Sequence, residues 1–212
     1  TMRSGNSLMT NLLSIHDDII VLKNSIHFFR LFYDFYNPLD DKKNLKKLIY
    51  HSYLHLKYRK DILLNVDEVQ EILSNQEINY KNIYNAMAVS LLKKTNKKIW
   101  GENVALSWRN IPKFIEMFDD AKTIHVVRDP RAVFSSWKKL SSIPNNAYIN
   151  CIFNWIDSTN HIKKFRNNLS KNKYHVVKYE DIMTDTEDTL EKLFSYLEIK
   201  FDKNILDQTK WL

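Results

Sequence analysis

The sequence predicts an α/β fold, a parallel sheet flanked by helices, and three stretches carry that reading. Thr123 to Trp137, TIHVVRDPRAVFSSW, reads as a buried strand, a turn and a helix. Ile124, Val126 and Val127 form the short β-branched run of an interior parallel strand. Asp129 suits an N-cap and Pro130 the first helical position. Near the start, Arg3-Ser4-Gly5-Asn6-Ser7 leads into Leu8, Leu12 and Leu13, the apolar stripe of a helix. Tyr174 to Lys178 is a further short strand, followed at once by Tyr179-Glu180-Asp181.

The remaining elements follow in chain order. Residues 26–97 are mostly helical in pattern, with the aromatic-rich run HFFRLFYDFY and several lysine-bearing amphipathic stretches. Asn37-Pro38 and Asn75 are the expected breaks. Aromatics at helical spacing are read first as core. Lys98 to Trp100 is a candidate strand ending at Gly101. Asn110 opens a helix with Pro112 in its first turn and Ile111, Phe114, Ile115 and Phe118 turned inward. Residues 146–168 form another helix, with Ile152, Trp155 and Ile156 on one face. Asp188 to Leu197 lie in the final long helix. No internal repeat, low-complexity tract or linker interrupts the chain, so residues 1–212 read as one domain.

Composition narrows the function classes. A chain of 212 residues buries about 70% of its unfolded surface. Hydrophobic content of 44% and charge of 27% are ordinary for a soluble protein. No apolar run approaches the roughly 20 residues of a membrane span, and no signal peptide is visible. The lone cysteine, Cys151, excludes an internal disulfide and reads as a buried, inert thiol, which fits a reducing cytoplasm. The net charge of +7 points to anionic partners, and a solvated lysine-rich surface explains it better than a nucleic-acid groove. No metal-binding motif is present.

The chemistry-bearing residues sit at the junctions. Arg128 stands where a strand ends and a helix begins, the place where α/β sheets bind ligands. The nascent helix offers free N–H groups and a positive dipole end, so the expected ligand is an anion. Ser136 follows on the same helix, with Arg131 and Ser135 close by as weaker candidates. A structural salt bridge from Arg128 to Asp129 or Glu180 is the competing reading. Gly5 is one of only two glycines, and its place just before a helix points to a backbone need such as close approach to a phosphate. No Lys follows Gly5, so the Walker A pattern is absent. That counts against an ordinary ATPase or kinase. His125 alternates along a buried strand and reads as a satisfied core histidine.

Taken in order, RSGNS near the start, VVRDPRAVFSSW in the middle and VVKYED at Val176 to Asp181 resemble the sulfotransferase family. The closest look is to the carbohydrate and protein-tyrosine branch and its bacterial relatives, which carry an RSG loop. The resemblance implies a P-loop-type parallel sheet flanked by helices and use of 3′-phosphoadenosine 5′-phosphosulfate as donor, without a metal. It implies transfer of a sulfuryl group to a hydroxyl of a carbohydrate, peptide or small metabolite, with the helical block 26–97 as the acceptor-side wall or lid. Arg3 then matches the loop cation beside the 5′-phosphosulfate, with Ser4, Gly5, Asn6 and Ser7 cradling the 5′-phosphate. Arg128 and Ser136 match the 3′-phosphate pair, and Tyr179 a tyrosine near the adenine and 3′-phosphate. Glu180 and Asp181 are expected to cap a helix or orient basic residues. A strand should precede the phosphate loop, so the expectation is of a fragment lacking that first strand. On that account a Golgi lumen stands beside the cytoplasm as a location.

The resemblance departs at the general base. The position aligned to the family's glutamate is Asn24, with Ser25 the alternative, and Asn103 stands where members tend to have a lysine. An amide is no base near neutral pH. His27 is the first substitute, because on a helix it would share a face with Asn24. Glu102 is the second, at the end of a strand. Lys23 could supply charge. Three alternatives stay open: a nucleotide-binding homologue that has lost catalysis, a nucleotide kinase and a nucleic-acid-binding module.

Overall fold

The computed structural model describes residues 3–23, 25–59, 63–139 and 148–211. Asn24, the residue aligned to the family's glutamate, lies outside them. The chain condenses into two compact units, Thr1–Leu12 with Ala105–Leu212, and Leu13–Val104.

The first unit is built on a parallel pair, β3 (Thr123–Val127) and β4 (Tyr174–Lys178), in the register His125 to Val176 and Val127 to Lys178. Both strands end at helices. Asp129 accepts the Arg131 amide at 2.8 Å and opens α7 (Pro130–Lys138), as its cap-and-proline signature predicts. Tyr179 opens α9 (Tyr179–Thr184) directly after β4, and α10 (Thr186–Leu197) follows, starting two residues before the expected Asp188. α6 (Ile111–Met117) and α8 (Tyr148–Asn168) complete the unit. The apolar faces meet in clusters such as Val133, Trp137 and Cys151, and Ile115, Phe165 and Tyr174. His125 is the satisfied core histidine its alternation suggested. Nδ1 meets Tyr174 Oη and Nε2 meets Ser158 Oγ, each at 2.8 Å. Burial pushes its pKa down to about 3.

The second unit carries a parallel pair that the sequence reading only half anticipated. β1 (Ile19–Leu22) pairs with β2 (Ile99–Glu102), Ile19 with Ile99 and Leu22 with Glu102. Pairing with β1 carries β2 through Gly101 to Glu102, past the expected end. β1 itself was not assigned from sequence, because a four-residue apolar run after a helix gives no period to read. Around the pair stand α3 (Lys42–Tyr58), α4 (Val66–Leu73) and α5 (Tyr80–Leu92), capped by Asp41, Asn65 and Asn79. Within HFFRLFYDFY only α2 (Phe28–Leu31) is helical. His27 at φ 55 and Asp34 at φ 64 bracket it with left-handed backbone. His27 itself is therefore not helical, as a helical face shared with Asn24 would require; it ends the irregular stretch 25–27 as the residue before α2. The helix α1 (Asn6–Ile15) follows the opening loop. Among the described residues no helix is long and apolar enough to cross a membrane.

Candidate functional site

In the first unit the loop before α1 meets the ends of β3 and β4. Arg3 has φ 62 and Gly5 φ 96, so the chain turns through left-handed backbone before α1 begins. The Gly5 carbonyl then accepts the Met9 amide at 3.0 Å, the first turn of that helix. A Cβ built on Gly5 would lie 2.3 Å from Cδ2 of Tyr179. The glycine is thus demanded twice, by its φ and by the tyrosine ring packed against it. Ser4 is fully buried, while Arg3 and Ser7 are exposed.

Arg128 is held by three neighbours. Its carbonyl accepts Trp155 Nε1 at 2.9 Å, and the next amide, that of Asp129, donates to Glu180 Oε1 at 2.9 Å. Its guanidinium lies over the Tyr179 ring, 4.0 Å from the centroid, a cation–π contact. Its NH1 lies 3.5 Å from the Arg3 carbonyl oxygen. Across a separation of 133 residues, Arg3 Nε donates to Ser136 Oγ at 3.0 Å. The competing salt bridge is not formed. Asp129 is engaged by Arg131 through contacts of 3.0 and 2.7 Å, and Glu180 takes the Asp129 amide. Arg131 therefore serves the turn, and Ser135 faces solvent.

Arg3, Gly5, Arg128, Ser136 and Tyr179 thus come together, and among the described residues neither Arg3 nor Arg128 is in an ion pair. Arg128 Nε is buried and without a partner. The guanidinium groups of Arg3, before α1, and of Arg128, between β3 and α7, thus stand in neighbouring turns with no carboxylate paired to either among the described residues, the residue type suited to a bidentate anion.

The second unit holds the other two candidates. Glu102 closes β2, and its Oε1 accepts Tyr84 Oη at 2.8 Å. Its Oε2 accepts the His27 amide at 3.3 Å, and Ser25 and the Ile26 amide also bond to it. Burial outweighs these donors and raises its pKa to about 7. His27 moves the other way. Burial, followed by the charges of His55, Arg30 and Arg59, lowers it to about 4. Its ring meets His55 edge-on at 5.6 Å, and its Nδ1 is buried without a partner. Asn103 extends the strand ladder, its amide donating to Leu22 at 3.2 Å. Ser25 entered the sequence analysis only as the alternative position for the family's glutamate, and Tyr84 did not enter it at all. Tyr84 carries no motif, and only the fold brings α5 and the segment before α2 to the end of β2. Among the described residues no cluster of three or more His, Cys, Asp or Glu could hold a metal ion.

Comparison with known proteins gives one family and a set of folds. The model of the sulfotransferase family matches residues 1–203. The sulfotransferase domain of the olefin synthase from Synechococcus PCC 7002 superposes with a TM-score of 0.64 at 22% identity, covering 97% of this chain and 73% of that one. The sulfotransferase domain from the curacin biosynthetic pathway superposes with a TM-score of 0.59 at 18% identity, covering 97% and 74%. No curated protein matches the chain significantly. At these identities the two structures establish the shared fold.

Proposed function

The chain belongs to the sulfotransferase family, and on that premise we propose that it moves a sulfuryl group from 3′-phosphoadenosine 5′-phosphosulfate to a hydroxyl of a carbohydrate, peptide or small metabolite. The observation that carries the donor half is the pair of guanidinium groups, Arg3 and Arg128, beside Ser136 and the Tyr179 ring with no carboxylate among them. Like charges brought near one another from two turns repel, and an anion between them would relieve that repulsion. The residues fit such a donor: Gly5 leaves the loop without side-chain bulk, and the orphaned Nε of Arg128 lacks an acceptor.

In this reading Arg3, Ser4, Gly5, Asn6 and Ser7 hold the 5′-phosphosulfate end. Arg128 and Ser136 hold the 3′-phosphate, and Tyr179 lies beside the adenine and 3′-phosphate. When bound, the donor supplies an electrophilic sulfur and a phosphate leaving group. Arg3 stabilises the charge that develops beside it, and alignment of the two reactants lowers the barrier by several kcal/mol. The acceptor hydroxyl must also give up its proton to a base. Glu102 is now preferred to His27. With its pKa near 7 it is part-ionised at working pH and still basic enough to take a proton. His27, lowered to about 4, is a far weaker base.

Calorimetry tests the donor half: the wild type should bind 3′-phosphoadenosine 5′-phosphate more tightly than 5′-AMP. Arg128→Ala should shrink that preference by roughly the 1.5–3 kcal/mol of a charge-assisted hydrogen bond. Equal affinities in the wild type would sink the donor assignment. For the base, Glu102→Gln should lower turnover of labelled donor on a panel of alcohols, sugars and peptides by about 10²–10⁴-fold. Donor binding without turnover in the wild type would favour the inactive homologue that Asn103 suggests.

A further inference from the structure

Resting on the reading of Glu102 as the base, we propose that Tyr84 is a positioning residue that acts through it, fixing the carboxylate and keeping its ionised form accessible. The geometry is specific. Tyr84 is buried on α5, 7% exposed, inside a core of aromatic rings. Phe28 lies 5.0 Å away and Trp100 6.0 Å, centroid to centroid, so the phenol has little freedom to turn. Its hydroxyl donates to Oε1 of Glu102 at 2.8 Å, while the His27 amide meets Oε2 at 3.3 Å. One donor on each oxygen pins the carboxylate plane.

The surroundings of Glu102 divide into donors and apolar walls. From α5 it faces Tyr84. From the segment before α2 it faces the Ser25 hydroxyl and the Ile26 and His27 amides. From its own strand, Trp100 bonds to Tyr84. His55 on α3 faces His27, and Arg30 and Arg59 act on His27. Among the described residues the strongest influences opposing burial at Glu102 are hydrogen bonds, that from Tyr84 first. A phenol suits this task. Its own ionisation is pushed well above the ordinary value by burial and by the neighbouring Glu102, so it stays a donor across the working pH range.

The test uses the full chain labelled with ¹³C at glutamate carboxyls, the Glu102 resonance being assigned by its loss in Glu102→Gln. In Tyr84→Phe the Glu102 titration should move up by about one pH unit, the loss of one hydrogen bond to a charged group. The ionised fraction at pH 7 would then fall about five-fold. A single 3-fluorotyrosine at position 84, a more acidic donor, should move the titration down without removing any atom of the core. Unchanged titration in both proteins would overturn the proposal, and so would a loss of melting temperature in Tyr84→Phe with no change in titration. Failure of the base reading shows separately. Glu102→Gln would then keep full turnover on the acceptor panel, whatever Tyr84 does to the carboxyl.

Discussion

Gly5 shows how a single residue binds sequence to site. Its rarity and its place before a helix marked it in the sequence as a backbone requirement. The structure supplies a second cause that no local pattern contains, the Tyr179 ring arriving from the end of β4. Gly5→Ala must therefore move that ring while also straining a φ of 96°. We expect Gly5→Ala to lower both the melting temperature and the affinity for 3′-phosphoadenosine 5′-phosphate, because Tyr179 also carries the Arg128 guanidinium. Calorimetry on a folded Gly5→Ala protein with wild-type affinity would refute the coupling. His27 teaches the opposite lesson. Its assumed helical neighbour relation failed because a left-handed φ of 55° at His27 itself precedes the short helix, and φ at a non-glycine residue is set by packing that a sequence does not display. Arg128 and Tyr179 could be picked out because each lies at a strand–helix junction, where one short motif contains strand, turn and helix start together, and Ser136 follows on the helix that Arg128 precedes.

Elements with their own punctuation were legible, and those without it were not. Asp129-Pro130 announced α7, and the β-branched run before it announced β3. β1 carries no cap, turn residue or alternation, and becomes a strand only by pairing with β2. The aromatic run after His27 has helical spacing yet forms one turn of helix, because its rings pack around Tyr80 and Tyr84. The cap of α7 can be tested directly. Asp129→Ala removes the acceptor of the Arg131 amide, so we expect a loss of about 1 kcal/mol in stability. Arg131 also loses its partner, but that residue is 90% exposed and the ion pair adds little. Because α7 carries Ser136, Asp129→Ala should also weaken binding at the proposed 3′-phosphate site modestly. Urea denaturation within error of wild type would show that the Glu180–Asp129 contact alone holds the turn.

At the scale of the whole molecule, buried titratable groups make stability depend on pH in opposing directions. His125 and His27, lowered to about 3 and about 4 by burial, bind protons in the unfolded chain before they do in the fold. His55 and His175 move the same way, also by burial. Their contribution is complete above the ordinary histidine pKa of about 6.5 and is lost as pH falls through the folded values. Glu102 has the reverse sign. Raised to about 7, it holds a proton in the fold that the unfolded chain has already released. Its contribution is present below the ordinary glutamate range and is lost as pH rises toward 7. The exposed carboxylates lowered by their partners, Asp129 among them at about 2, change below this window. Between pH 4.5 and 6.5 the histidines therefore outnumber Glu102, and the urea midpoint should rise with pH. In Glu102→Gln the opposing group is gone and the rise should be steeper, by at most about 1.4 kcal/mol per pH unit, the limit for one proton. Above about pH 8.5 the two curves should run parallel, because Glu102 has then lost its proton in both states. Parallel curves from pH 4.5 upward would mean that Glu102 titrates in the fold as an ordinary carboxylate, which would remove its fitness to take a proton from the acceptor near neutral pH.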